Sequence, residues 1–295
     1  MSETLLVTGA TGQLGRLVVQ HLLDTQKVAP ERIIAVTRKP EAAADLAAKG
    51  VVVRKGDFDD AASLDSAFAG ADRILIISTD AVGVPGKRAA QHKAAVAAAA
   101  KAGAKRILYT SMPGPETSEV AFAPDHTATE EAIKASGVPY TILRASWYQE
   151  GLLNSLPNVV KSGKWVTATK GGKLAHLSRE DIAAGAAGAL VNPPAENGVY
   201  TLTGDTSRSY AEIAALVTKI TGKPIEIVEV DDAAYTEGLK SAGLPVPVAD
   251  LVTSIERNIR KGNFDLVTNE AERFAGKKPQ TLEAFLEKNK AKLLG

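Results

Sequence analysis

The chain has 295 residues, 45% hydrophobic and 23% charged, with a formal net charge of +1 and no cysteine. That length builds a substantial core in one large domain or two smaller ones. The charge balance leaves no basic footprint for nucleic acid, and the missing thiols exclude disulfides, cysteine nucleophiles and cysteine-ligated metals.

No apolar run is long enough to span a bilayer, and residues 1–4 lack the basic and apolar regions of a secretory signal. A cytoplasmic protein without membrane or nucleic-acid partners is expected. Short, nearly uninterrupted apolar runs recur at residues 5–7, 33–36, 51–53, 74–77, 107–109 and 140–143, the pattern of strands buried on both faces of a parallel sheet. Helical segments lie between them. Residues 14–23 have helical apolar spacing, and 41–49, 87–102 and 130–136 stop at Gly50, Gly103 and Gly137. The alternation predicts an α/β fold, a Rossmann-like doubly wound parallel sheet.

Beyond Glu150 the pattern is mixed. Ser178 and Ser209 open helices, with Asp181 and Glu212 placed three residues on as in a capping box. Residues 198–204 and 224–230 read as strands, and 248–262 and 281–293 as amphipathic helices. The expected division is a nucleotide-binding domain over 1–150 and a smaller α/β substrate domain over 151–295, with the segment near 173–189 returning to the first.

The first strand runs into Gly9-x-x-Gly12-x-x-Gly15. A glycine turn lets backbone approach a phosphate, and the helix behind it offers free N–H groups and a positive dipole end. The spacing is not G-x-G-x-x-G, but a strand before and a helix after are the context of a dinucleotide loop. The alternative is a tight turn that only packs the helix closely. After the second strand stand Thr37, Arg38 and Lys39, where NAD sites usually place a carboxylate for the ribose hydroxyls. A guanidinium grips a 2′-phosphate with two hydrogen bonds, so Arg38 favours NADP(H); a solvated Arg-Lys pair is the alternative. Asp57 and Phe58 follow the third strand, either to meet an adenine amine and ring or simply to form a polar turn.

Together "VTGATGQLG", "VTRKP", "GDFDD", "ILIIST", "AAKAGAKRILYTS", "HTATEEAIKASGVPYTILR", "WYQEG" and "SAGLPVP" span nearly the whole chain. They resemble the NmrA-like group of atypical short-chain dehydrogenases, above all its bacterial NADPH-dependent quinone oxidoreductases, triphenylmethane reductases and azo-dye reductases. The resemblance implies a Rossmann domain, a smaller C-terminal domain and a substrate cleft between them. It implies NADP(H) contacts from Gly9, Ala10, Thr11, Gly12, Gln13, Leu14 and Arg38, from Ser78 and Thr79, and from Leu143, Arg144, Ala145, Ser146 and Trp147. Residues 173–178 are implied to approach the cofactor.

Short-chain dehydrogenases commonly pair a tyrosine acid with a lysine four residues on. None of Tyr109, Tyr140, Tyr148, Tyr200, Tyr210 or Tyr235 has that lysine, and the helix where the pair would sit carries His126 and Glu130. Ordinary alcohol–ketone chemistry is therefore in doubt. One reading is an NADPH-dependent reductase of a planar quinone, azo or triphenylmethane acceptor that needs little protein acid. The other is a non-catalytic NADP(H)-sensing regulator of the NmrA type that binds a partner protein. Tyr109, Ser111, Trp147 and Tyr148 are candidates for the acceptor pocket, with interdomain packing the alternative for the last two. His126 and Tyr148 are candidate proton donors, neither certain; for His126 the commoner alternative is capping or packing at a helix start. His126 and Glu130 lack a third ligand, so no metal is expected. Assembly as a homo-oligomer stays open.

Overall fold

The whole of β1 (Leu5–Val7) and of β2 (Ile33–Thr37) is buried, because each strand has helices on both faces. The computed structural model describes residues 3–295. After β1 come α1 (Gln13–Asp24), a single-turn 3₁₀ helix (Pro30–Arg32), β2, a second 3₁₀ turn (Pro40–Ala43), α2 (Ala44–Ala47), β3 (Val52–Lys55) and α3 (Ala61–Phe68). Then follow β4 (Arg73–Ile76), α4 (Lys87–Lys101), β5 (Arg106–Ser111), α5 (Ala123–Ala135) and β6 (Tyr140–Ala145).

The chain continues through α6 (Gln149–Leu152), α7 (Leu156–Ser162), β7 (Lys164–Thr167), β8 (Lys173–Leu174), α8 (Arg179–Val191) and β9 (Gly198–Leu202). The last elements are β10 (Arg208–Ser209), α9 (Tyr210–Thr221), β11 (Glu226–Glu229), α10 (Asp232–Ser241), α11 (Val246–Arg260), α12 (Glu270–Ala275), α13 (Leu282–Lys288) and α14 (Lys290–Leu294).

Seven parallel strands form the main sheet in the order β3-β2-β1-β4-β5-β6-β9. One face packs on α1 and α8 through Val18, Val19, Leu22, Ile182 and Ala186. The other packs on α3, α4 and α5 through Leu64, Phe68, Ala95, Ala99 and Ile133. The strand order reverses between β1 and β4, which opens a crevice at their carboxyl ends.

Residues 198–204, read from sequence as a strand of the mixed half, supply β9. It lies beside β6, with Thr141 opposite Gly198 and Ala145 opposite Leu202. α8 fits between α1 and α12 because residues 181–190, all buried, are mostly alanine and glycine. A Cβ on Gly188 would stand 1.9 Å from the Phe274 carbonyl oxygen, so only glycine permits that approach.

The helix expected at 130–136 begins at Ala123 instead, with Pro124 in its first turn; Pro is pre-shaped for that position. The expected 41–49 helix contracts to a 3₁₀ turn and α2. The 281–293 helix breaks at Asn289, whose side chain donates back to the Phe285 carbonyl at 2.9 Å. α3 is a helix the pattern did not reveal; Asp60 caps it by accepting from Ala62 and Ser63.

Both serine caps form. Ser209 and Glu212 make the reciprocal capping box. Ser178 accepts from the Asp181 N–H, but the Asp181 carboxylate bonds the Ser178 hydroxyl and the Gln280 N–H rather than the cap's backbone. A second core joins α7, β7, α9 and α13 around Leu156, Trp165, Val217 and Phe285. Buried Glu256 on α11 ties to it, accepting from the Thr167 hydroxyl at 2.6 Å and the Ala168 N–H at 2.8 Å. No described helix is long and apolar enough to cross a membrane.

Candidate functional site

A cleft of about 590 Å³ lies at the carboxyl ends of β1, β2, β3 and β4. The glycine loop forms its floor. Gly9 has φ +60°, a conformation that excludes ordinary side chains. A Cβ on Gly15 would come within 2.2 Å of the Gly9 carbonyl oxygen, so glycine there lets α1 close onto the turn. Gly12 donates to that same oxygen at 2.9 Å and caps α1 with no side-chain bond. The first N–H groups of α1 therefore face the cleft without a capping side chain, which is an anion-binding arrangement.

Thr11 and Thr37 join loop to β2 through their hydroxyls at 2.8 Å. Arg38 follows, exposed and in the cleft lining, with no ion pair among the described residues. The neighbouring Arg16 is already committed to Asp45 at 2.6 Å and the Ala42 carbonyl. At the far side of β2, a Cβ on Gly56 would strike Val36 Cγ1 at 2.5 Å. Asp57 Oδ1 accepts from the Asp59 N–H at 3.0 Å, so that oxygen serves the polar turn.

The opposite wall holds Ile77, Ser78, Thr79, Asp80 and Ala81 beyond β4, with Lys87 and Gln91 from α4. Asp59 bridges the two walls, pairing with Lys87 at 3.1 Å and accepting from Gln91 at 3.0 Å. Those two bonds hold its carboxyl below the usual range. Tyr148 and Arg179 close the end. A parallel bridge between Tyr148 and Leu177 brings them together, and the Arg179 guanidinium sits 4.7 Å over the Tyr148 ring. Burial pushes the Tyr148 phenol up, opposed by the nearby Arg179.

Of the residues singled out from sequence, Gly9, Thr11, Gly12, Gln13, Leu14, Arg38, Asp57, Phe58, Ser78, Thr79 and Tyr148 share this cleft. Others lie elsewhere. Ala10 is fully buried and donates to the Val36 carbonyl. Leu143 belongs to the core beneath α8. Arg144 grips Glu130 through two bonds of 2.9 and 2.8 Å, and Ser111 donates to the same carboxylate at 2.7 Å. Ala145 and Ser146 run along β9, where Ser146 donates to Leu202. Trp147 packs edge-on against Phe122 and Phe264, at centroid distances of 6.1 and 5.2 Å.

Tyr109 does not line the cleft: it is 0% exposed, because its position on β5 points into the α4–α5 layer. Burial raises its phenol far above the ordinary value. Its hydroxyl lies 2.8 Å from His126 Nδ1, and Arg88 Nη2 lies 3.0 Å from His126 Nε2. A guanidinium only donates, so Nε2 accepts and the His126 proton sits on Nδ1, directed at Tyr109. Burial, with Arg88 beside it, holds His126 well below its usual pKa. Both ring nitrogens are engaged inside the protein, which leaves this histidine no proton to offer in the cleft.

Lys87, Gln91, Asp59 and Arg179 were not foreseen. Lys87, Gln91 and Arg179 reach the cleft from the early turns of α4 and α8, far in sequence from the glycine loop, with no local spacing to mark them, whereas Asp59 stands beside Phe58 in the turn already singled out. Among the described residues no His, Asp and Glu cluster could hold a metal ion.

The NmrA-like family profile matches residues 1–286. Quinone oxidoreductase 2 of Escherichia coli (strain K12) is 39% identical over 258 residues, 88% of each chain. NAD(P)H azoreductase of Xenophilus azovorans is 28% identical over 253 residues, 85% of each. The E. coli NADPH-dependent quinone oxidoreductase QOR2 complexed with NADPH superposes with a TM-score of 0.92 at 36% identity, over 98% of this chain and 100% of that one. The Citrobacter sp. triphenylmethane reductase complexed with NADP(H) gives 0.90 at 34% identity, over 97% and 99%. With most of its length matched by both measures, the chain belongs to the NmrA-like family.

Proposed function

We propose that this protein reduces a planar quinone or dye-like acceptor at the expense of NADPH. It is an oxidoreductase of the NmrA-like type, and NADP(H) is its cofactor. The observation that carries the reading is the cleft itself: a floor that admits only glycine at Gly15, an uncapped helix start at Gly12, and Arg38 with no carboxylate partner among the described residues. These features suit a diphosphate and a further phosphate, so the residues present fit the cofactor. The loop and the start of α1 would hold the pyrophosphate, Arg38 the 2′-phosphate, and Phe58 the adenine.

Bound NADPH supplies a hydride. The protein's own contribution is binding, orientation and exclusion of water. The locked tautomer of His126 argues against it as the proton donor, and the burial of Tyr109 argues against a place for it in the acceptor pocket. Tyr148 is the one tyrosine in the cleft lining. An acceptor whose reduced form is stable as an anion, or one that starts as a cation, fits such a site because it does not require an enzyme acid in the hydride step. In this reading residues 1–150, the returning segment near 173–189 and β9 hold the cofactor, and the rest of the chain flanks the acceptor.

The test is NADPH oxidation by purified protein across quinones, azo dyes and cationic triphenylmethane dyes. Turnover of at least one class is expected. Tight NADPH binding with no turnover of any of them would overturn the reductase reading.

A further inference from the structure

Beyond β4 the backbone leaves the sheet and forms the cleft wall at Ile77, Ser78 and Thr79. Three successive amides there find side-chain acceptors from three different elements. Ile77 donates to Thr8 Oγ1 at 2.8 Å, Ser78 to Thr110 Oγ1 at 2.9 Å, and Thr79 to His92 Nε2 at 2.9 Å. The other polar groups of Thr79 are also taken. Its carbonyl accepts from Arg88 Nε at 2.7 Å, and its hydroxyl donates to Gln91 Oε1 at 2.8 Å. Residues 88, 91 and 92 lie on one stretch of α4, so a single helix grips Thr79 at N–H, C=O and O–H together.

A backbone amide only donates, so His92 Nε2 is an acceptor and its proton is on Nδ1. That nitrogen lies 2.9 Å from Thr129 Oγ1 and 3.2 Å from the Tyr109 hydroxyl. The Thr129 hydroxyl donates to the Asp125 carbonyl at 2.6 Å, which leaves its oxygen to receive the His92 proton. The imidazole is 0% exposed. The groups from Thr79 through His92 to Thr129 have one consistent donor–acceptor assignment, with His92 neutral. Such a network specifies a single geometry.

We infer that His92 is a positioning residue for the cofactor: acting through Thr79, it sets the wall beyond β4 before NADP(H) arrives. The inference rests on reading the cleft as the NADP(H) site. A wall already tied down loses little freedom on binding, and that saving appears as affinity.

The experiment uses the cofactor-free protein and NADPH titration by fluorescence. Nitrogen-15 NMR should show His92 as the Nδ1–H tautomer, and hydrogen exchange should show a slow Thr79 amide. His92→Leu should speed that exchange and weaken NADPH about tenfold. His92→Gln, whose Oε1 reaches the place of Nε2, should restore affinity to within about threefold. Should His92→Leu fold poorly, Thr110→Val tests the adjoining tether and should weaken NADPH in the same direction. Folded Leu and Gln variants with equal, unchanged NADPH affinity would overturn the inference. Failure of the unaltered protein to bind NADPH would instead overturn the cofactor reading.

Discussion

Replacing Arg38 by alanine should change which cofactor the protein prefers. Arg38 is exposed and in the cleft lining, and no described carboxylate pairs with it, so its removal breaks no ion pair within the fold. The loss falls on whatever phosphate it holds. A hydrogen bond to a charged group contributes about 1.5–3 kcal/mol, which is roughly tenfold to a hundredfold in affinity. Exposure puts the effect toward the lower end and makes it salt-dependent, since the screening length is about 10 Å at 0.1 M. NADH has no 2′-phosphate, so its affinity should move by less than about twofold. Fluorescence titration of both cofactors, at low and high salt, reads the difference. Equal weakening of NADPH and NADH, or a salt-independent loss, would refute the role of Arg38.

Gly12→Val should abolish NADPH binding in a folded protein, because its Cβ meets only the Gly9 oxygen at 3.2 Å and the branches enter the cleft. Gly15→Ala should instead lower the unfolding midpoint, since its Cβ would stand 2.2 Å from that oxygen; circular dichroism and titration together separate the two. Tyr109→Phe and Tyr148→Phe should each reduce turnover by much less than the roughly hundredfold expected of an obligatory acid. A hundredfold loss in kcat for Tyr148→Phe would make that phenol the proton source. Burial holds both His92 and His176 down to about 3, with Arg88 and Arg208 adding to the effect. The unfolded chain therefore takes up protons below its ordinary value of 6.5 that the folded chain refuses until about 3. Stability is fully present above that upper limit and falls as pH drops through the window, by up to about 1.4 kcal/mol per pH unit for each histidine. Urea midpoints between about pH 6.5 and 5, above most carboxylate titrations, check this; a flat profile would refute it.

Residues 5–7 and 33–36 were readable as strands because both faces of a parallel sheet are buried, so the apolar run is nearly continuous and needs no distant partner to interpret. The loop from Gly9 to Gly15 and the Arg38 position were readable for a related reason: their geometry is set by the few residues next to them, by the strand before and by the helix after. Tertiary structure decided the rest. A strand pattern at 198–204 says nothing of which strand it joins; the packing of α8 against α1 carries it to the edge of β6. Tyr109 and His126 have the chemistry of an active site in any linear reading. Their side chains point into the α4–α5 layer, where burial and the fixed donors of Arg88 consume both. His92 carries no sequence signal at all, since its partners Thr79, Thr129 and Tyr109 come from three separate elements. Local pattern fixes what a segment is, because that depends on its own backbone and periodicity; which side chains meet depends on how the layers close, and that is settled only when the whole sheet and its helices pack.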